Sequence, residues 1–339
     1  MYKKRTLPKV ICADRVYMTD TTMKALERMG QIIWSNCKNE EAFIQMVHET
    51  NPEVIISDHF MISDRVMDAS SHLKGIISWG VGYNQIDVEA ASQRGIYVAN
   101  MHGANAEAVA EHVFALILCF SRKILQIENY VRTGKWSAKE EYGLPSNLLA
   151  QDIYEKTLGI IGLGAIGAHV ARIAHGFNMH VLAYDAYISA NIAKDKGAEL
   201  CELEKLLKES DFITIHVPIT SETKGMISTR ELNIIKPTTY LINTSRGAVV
   251  DEEALISALK EKKIAGAGLD VFTKEPIDFE NPLLTFDNVI LTSHTAYFSK
   301  EANEATSKMG VEEAVRILKG QVPKNLVNRS QLVKKGYLS

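Results

Sequence analysis

Short apolar runs alternate with helix-patterned segments along most of this chain, and that alternation constrains the fold more than any other feature. KVICA (Lys9 to Ala13), QIIW (Gln31 to Trp34), EVIIS (Glu53 to Ser57), GIIS (Gly75 to Ser78) and IYVAN (Ile96 to Asn100) are strand-length and nearly free of charge. Helical patterns separate them: Thr21 to Met29 with Gly30 as its stop, Glu40 to Glu49, a segment opening near Ser63, and Val88 to Arg94. A strand that is apolar on both faces must be covered on both faces, and an intervening helix returns the chain over the sheet. A second series follows in TLGIIG (Thr157 to Gly162), HVLAYD (His180 to Asp185), DFITIHV (Asp211 to Val217), TYLIN (Thr239 to Asn243), AGAGLDV (Ala265 to Val271) and NVILT (Asn288 to Thr292). The pattern predicts an α/β fold with two parallel sheets, and 339 residues suffice for two domains.

Between the two series the pattern predicts one long helix from about Asn105 to Thr133. At ~1.5 Å per residue it would approach 40 Å, so it should bridge two domains. The stretch from Lys135 to Tyr154 reads as irregular. A final helix is expected over Glu301 to Lys319.

Composition narrows the class. Hydrophobic residues make up 46% of the chain and charged residues 23%, with a net charge of −3. No dense Lys/Arg stripe offers a face for nucleic acid, and Lys3, Lys4, Arg5, Lys334 and Lys335 read as solvated ends. The apolar run Val113 to Phe120 is far short of the roughly 20 residues that span a bilayer, and Tyr2 to Lys9 carries no apolar signal core. We therefore expect a cytoplasmic protein that binds neither membrane nor nucleic acid. Cysteines at 12, 37, 119 and 201 form no C-x-x-C pair, so reduced thiols and no metal site are expected.

The second series opens with Gly162-Leu163-Gly164-Ala165-Ile166-Gly167, between an apolar strand and a helical pattern. In that context Gly162 permits a tight turn, Gly164 lets backbone approach a pyrophosphate, and Gly167 allows close helix–strand packing. The helix start at Ala165 and Ile166 supplies N–H groups and a positive dipole end. Asp185 ends the next strand, 18 residues past Gly167, where an acid binds the ribose hydroxyls and repels a 2′-phosphate. Ala186 and Tyr187 bring no arginine for that phosphate, so the expected cofactor is NAD. His216, Val217 and Pro218 end another strand and are expected along the nicotinamide ribose. Thr223, Thr244, Ser245, Arg246, Asp270 and His294 complete the expected cofactor contacts, Asp270 through the carboxamide.

Three residues follow strands of the same series. Arg246, in INTSRGAVVDE (Ile242 to Glu252), can clamp a carboxylate in bidentate fashion and polarise the adjacent carbonyl. His294, in LTSHTAYFS (Leu291 to Ser299), can give a proton to a carbonyl oxygen or take one from a hydroxyl. Glu275, in GLDVFTKEP (Gly268 to Pro276), can fix the ring by accepting from its other nitrogen. Singly, each has an ordinary reading as a surface residue. Together, beside a nicotinamide, they suit hydride transfer to a 2-oxo acid. Gly80-Val81-Gly82, after the strand GIIS, can present backbone N–H groups to the substrate carboxylate through Val81 and Gly82.

In the order of these phrases, with GVGYNQID (Gly80 to Asp87), GANAEAVAEH (Gly103 to His112) and HVPIT (His216 to Thr220), the chain resembles the D-isomer-specific 2-hydroxyacid dehydrogenases over Lys9 to Asn328. The resemblance implies Rossmann- and flavodoxin-like domains with NAD in a cleft between them, and a homodimer. It implies a substrate-binding domain in two parts, 1–103 and 298–339, around an NAD-binding domain at 104–297, with hinges near Asn100 to Gly103 and Thr295 to Phe298. It also implies the roles given to Arg246, Glu275 and His294. HTAYFSKEA (His294 to Ala302) and PKNLVN (Pro323 to Asn328) are similar to the branch with D-lactate dehydrogenases and C-terminal-binding-protein corepressors, where an aromatic residue at the Tyr297 position meets the substrate side chain.

His102 replaces the usual proline before GAN. The Arg-Ser-x-Thr phrase that many phosphoglycerate dehydrogenases carry after the third strand is replaced by Asp58-His59-Phe60. Trp79, His59, Phe60 and Tyr297 point to a substrate with an apolar or aromatic tail. Two other readings stay open: a D-3-phosphoglycerate dehydrogenase, and an NADH-sensing binding protein with slow turnover.

Overall fold

The computed structural model describes residues 7–136 and 145–338. The basic start at Lys3 to Arg5 and part of the irregular stretch after Lys135 lie outside the described residues. The chain divides into two compact units, Met1–Asn105 with Ser299–Ser339, and Ala106–Phe298.

The first unit begins with β1 (Lys9–Cys12), α1 (Asp20–Glu27), β2 (Gln31–Trp34), α2 (Glu40–Thr50) and β3 (Val54–Ser57). It continues with α3 (Asp64–Asp68), β4 (Gly75–Ser78), α4 (Val88–Gln93) and β5 (Tyr97–Ala99). The strands are all parallel in the order β2-β1-β3-β4-β5. Alternation along β1 divides the core between the two faces, Val10 and Cys12 joining one cluster and Ile11 the other. Side chains cap four of these helices, Thr19, Asn39, Ser63 and Asp87 each accepting a backbone N–H from the first turn.

The second unit opens with α5 (Ala106–Ser121) and α6 (Ile124–Arg132). The single helix expected here is broken, because Lys123 takes the left-handed conformation at φ 54°. There follow β6 (Thr157–Ile161), α7 (Ala165–Gly176), β7 (His180–Tyr184), α8 (Ala190–Asp195), β8 (Glu199–Leu200), α9 (Leu203–Glu209) and β9 (Phe212–Ile215). Then come α10 (Thr229–Ile234), β10 (Tyr240–Asn243), α11 (Glu252–Lys260), β11 (Gly266–Leu269) and β12 (Val289–Leu291). This sheet is also all parallel, in the order β12-β11-β10-β9-β6-β7-β8. The winding direction reverses between β6 and β9, and ligands of open α/β sheets bind outside the carboxyl ends of strands at such a reversal.

Two helices return to the first unit, α12 (Lys300–Leu318) and α13 (Arg329–Lys334). Close approach seats α12: a Cβ on Gly310 would lie 2.5 Å from the Trp79 ring, and one on Gly75 would lie 2.4 Å from Ile317. Trp79 is thereby only 6% exposed and belongs to the core cluster with Val311 and Ile317. Phe60 is turned inward as well, its ring 4.6 Å from that of Phe43. Two of the residues expected to line an apolar substrate tail are therefore packing residues. No helix among the described residues is long and apolar enough to cross a membrane.

Candidate active site

The glycine loop sits at the reversal point of the second sheet, between the end of β6 and the start of α7. Gly162 has φ 93°, a conformation that disfavours any side chain. A Cβ on Gly167 would fall 2.3 Å from the Gly162 carbonyl oxygen, so the helix can lie this close to the turn only without one. Gly164 opens α7 as a cap with no side-chain partner, and a Cβ there would enter open space. The first N–H groups of α7 are thus left for a ligand, and an anion is the natural one.

Beside this loop the ends of β7, β9 and β10 supply polar atoms. Asp185 is anchored by the Leu163 and Tyr187 N–H groups, both at 2.9 Å. His216 follows β9; its Nε2 meets Thr214 Oγ1 at 3.0 Å, while Nδ1 is buried without a partner. Burial pushes the pKa of this imidazole down to about 3, so the ring is neutral. The Thr244 hydroxyl, after β10, is likewise buried and unpartnered. The registers pair Ile215 with Asn243, so these two orphaned atoms follow neighbouring positions of adjacent strands. A buried polar atom without a partner is costly, and a bound ligand that reaches it removes the cost. The loop and these atoms fit a dinucleotide. Val217 packs partly into the core, and the Thr223 hydroxyl closes the loop after β9 by donating to the Pro218 carbonyl.

After β10 the turn carrying Arg246 is built by Asn243. Its Oδ1 accepts from the Ser245 N–H and hydroxyl, and its Nδ2 donates to the Arg246 carbonyl. Gly247 then lets two loops meet, since a Cβ there would fall 2.0 Å from the Phe272 carbonyl carbon. That approach brings the Arg246 turn up to the loop carrying Glu275. The guanidinium is half-buried, donates from Nη1 to the Ser245 carbonyl at 2.7 Å, and feels the Glu275 charge. Burial lowers its pKa and Glu275 opposes that.

His294 Nδ1 meets Glu275 Oε2 at 2.7 Å, while Glu275 Oε1 accepts the Phe272 N–H at 2.9 Å. Partial burial disfavours the Glu275 charge. Against it act the hydrogen bonds from His294 and Phe272 and the charges of His294 and Arg246, which hold the pKa below its ordinary 4.5. His294 itself has φ 55°, a left-handed conformation that costs a non-glycine residue about 1–2 kcal/mol. Asp270, fully buried, grips the turn that imposes it. Its carbonyl accepts the His294 N–H, and its carboxylate accepts those of Thr295 and Ala296. The aromatic ring of Tyr297 stands edge-on to His294 at 6.2 Å.

The second unit thus brings Arg246, Glu275, His294, Asp270 and Tyr297 to the carboxyl ends of β10, β11 and β12. An imidazole oriented by a carboxylate through one nitrogen presents its other nitrogen for proton transfer, with a guanidinium nearby for an anion. Asn243 and Gly247, which sequence reasoning missed, set this geometry. Their only sequence signal is position, flanking the arginine directly after a strand.

In the first unit the loop after β4 holds Val81 and Gly82. Met101 N–H donates to the Gly80 carbonyl, Asn100 Nδ2 to that of Val81, and Ser78 Oγ to that of Gly82. Across a trans peptide the N–H opposes the carbonyl, so the N–H groups of Val81, Gly82 and Tyr83 point the other way. Such an array suits a carboxylate. The loop after β3 has a similar row, but Asp14 fills it, its carboxylate accepting from Asp58, His59 and Phe60 N–H at 2.6–2.8 Å.

Residues 114–296 match the family model for the D-isomer specific 2-hydroxyacid dehydrogenase NAD binding domain. A glyoxylate reductase of Korarchaeum cryptofilum is 45% identical over 268 residues, 79% of this chain and 80% of that protein. The solved structure of a D-lactate dehydrogenase from Aquifex aeolicus, complexed with NAD and lactic acid, aligns with a TM-score of 0.81 at 31% identity, covering 94% of this chain and 98% of the other. An acyclic imino acid reductase in complex with NADPH and D-Arg aligns with a TM-score of 0.84 at 32% identity, covering 94% and 99%. A Gly-rich loop at a sheet reversal, a carboxylate-oriented histidine and these likenesses converge: the chain belongs to the D-isomer specific 2-hydroxyacid dehydrogenase family, oxidoreductases that use NAD(P).

Proposed function

We propose that this chain reduces small 2-oxo acids to D-2-hydroxy acids with NADH, and runs the reverse oxidation, with His294 as the proton-transfer residue. The observation that carries the reading is the His294–Glu275 hydrogen bond at 2.7 Å, made by an imidazole held in a left-handed turn. With Nδ1 on Glu275, Nε2 gives a proton to the carbonyl oxygen as the hydroxyl forms and takes it back in the oxidation. Arg246 holds the carboxylate and polarises the carbonyl. When bound, the reduced nicotinamide supplies the hydride. The glycine loop and the start of α7 hold its pyrophosphate, Asp185 the adenosine ribose, and His216 and Thr244 the nicotinamide end. Asp270, fully buried with its oxygens taken by Thr292, Thr295 and Ala296, holds the His294 turn in place of the expected carboxamide contact. Asp185 favours NADH over NADPH by repelling a 2′-phosphate. Taken by themselves, the N–H groups of Val81 and Gly82 in the first unit suit a carboxylate.

The relative named for glyoxylate supports a small substrate, and the inward packing of Trp79 and Phe60 removes much of the argument for a large apolar tail. A phosphorylated acid is disfavoured, because Asp14 fills the N–H row after β3 with a negative charge. We also propose a homodimer.

The test is NADH oxidation over glyoxylate, hydroxypyruvate, pyruvate, 3-phosphohydroxypyruvate and phenylpyruvate, with NADPH in parallel. Turnover should be fastest with glyoxylate or hydroxypyruvate and with NADH. His294→Ala and Arg246→Ala should abolish it while NADH still binds. Wild-type turnover in either variant would falsify the assigned roles, and preference for 3-phosphohydroxypyruvate would overturn the argument from Asp14.

A further inference from the structure

Behind the His294 turn lies a second layer of polar groups that the reaction as described does not use. Thr292, the residue after β12, donates its hydroxyl to Asp270 Oδ1 at 2.5 Å. His112, on α5, meets the same Thr292 oxygen through Nε2 at 3.1 Å, and that nitrogen lies 3.9 Å from Asp270 Oδ1. A hydroxyl has one proton, and here the carboxylate takes it. Thr292 therefore accepts from His112, which fixes the His112 ring with its proton on Nε2. The chain of bonds runs from α5 through the strand end to a carboxylate that is fully buried.

That carboxylate has few ways to move. Oδ1 takes the Thr292 hydroxyl and the Thr295 N–H; Oδ2 takes the Ala296 N–H. The residue thus binds the backbone just past His294 with its side chain and the N–H of His294 with its carbonyl. If Thr292 releases Oδ1, the carboxylate loses one of the three bonds that fix its orientation and is held by the Thr295 and Ala296 N–H groups alone, so the turn it grips can shift from the left-handed conformation that aims the imidazole. Glu275 fixes the imidazole at its tip, whereas Asp270 fixes the backbone beneath it.

We propose that His112 and Thr292 are positioning residues for hydride transfer: they orient the Asp270 carboxylate and through it hold His294 in its reactive pose. The inference rests on the proposed role of His294. Neither residue needs to touch substrate or cofactor. Their effect falls on the transition state, where a displacement of about 1 Å can cost a hundredfold in rate.

The test compares Thr292→Val, Thr292→Ser, His112→Leu and His112→Gln by steady-state kinetics, on the best 2-oxo acid and NADH. Valine keeps the threonine shape without the hydroxyl, and serine keeps the hydroxyl. Glutamine can place a donor near the position of Nε2, and leucine cannot. Thr292→Val and His112→Leu should lower kcat by about ten- to a hundredfold, with KM and NADH affinity changed less than about twofold. Thr292→Ser and His112→Gln should recover most of the rate. In a His294→Asn background, Thr292→Val should have no further effect on residual turnover, because the two act as one unit.

Wild-type kcat in Thr292→Val, or a loss that serine does not recover, overturns the proposal. An equal further loss in the His294→Asn background also overturns it, since that marks a general structural effect. Should one valine or leucine variant fail to fold, the pair at the other position decides the matter. Undiminished turnover in His294→Asn alone would instead remove the role of His294, a separate failure.

Discussion

Glu275 keeps its charge in a half-buried place because its partners outweigh the burial, and that balance has a pH signature. A carboxyl group whose pKa is lower in the folded than in the unfolded chain adds stability above the unfolded value. The contribution is lost as pH falls through the folded value. For Glu275 the loss begins near the ordinary 4.5 and is complete below the depressed value. We expect Glu275→Gln to be less stable than wild type at neutral pH, by a modest amount because the group is partly exposed. The gap should close in acid. Urea midpoints of both proteins from neutral pH down past 4.5 check this; a gap that widened in acid would reverse the sign of the argument. At this scale the sequence was informative where chemistry is written in a residue type, as at Arg246, Glu275 and His294. It was silent where a residue acts by what it lacks or by a distant contact. Gly247 matters through its closeness to Phe272, and Asp14 through N–H groups 44 to 46 residues away. Neither relation leaves a local pattern.

At the scale of elements, the apolar strands were legible because parallel strands are covered on both faces and read as unbroken apolar runs. The two-residue β8 was not, being too short to carry a period. Nor was the break between α5 and α6, where Ser121, Arg122 and Lys123 include neither glycine nor proline. The break changes what α6 can do. α5 buries nine side chains, whereas none of the residues of α6 is buried. Ile124, Leu125 and Val131 each stand about half-exposed on a strongly two-faced helix. Apolar area of this kind is stabilised when a partner covers it, and a second copy of the chain is the partner we propose. Wild-type protein should then show twice the chain mass by light scattering, and the double variant Ile124→Glu, Leu125→Glu should show the single mass with its helical signal retained. A monomeric wild type would end the proposal, and a double variant that stayed dimeric would place the interface elsewhere.

At the scale of the whole molecule, the first unit is assembled from both ends of the sequence, and one asparagine shows how tightly. Asn328 is fully buried; its Oδ1 accepts the Val98 N–H, and its Nδ2 donates to the Ile96 carbonyl and the Ser92 hydroxyl. Val98 lies 230 residues earlier in the chain. Next to it Leu326 bridges to Ala99, and α12 packs on β4 across Gly75. The alternation of strands and helices cannot reveal such a return, because a pattern with a short period says nothing about which distant segment completes a sheet's cover. Here the expectation of a domain built from both chain ends came from the family resemblance as a whole, and the physical reason lies in β5, whose far side needs a hydrogen-bonding partner. Asn328→Ala leaves a buried donor and a buried acceptor unpaired, each worth about 1–3 kcal/mol. We expect the first unit to lose about 2–4 kcal/mol in urea unfolding. Hydrogen exchange should quicken in the amides of β4 and β5, while NADH affinity, a property of the glycine loop in the other unit, stays unchanged. A variant with wild-type exchange in β5 would mean that the returning tail merely rests on this unit; faster exchange in β6 and β9 as well would mean that the two units unfold together.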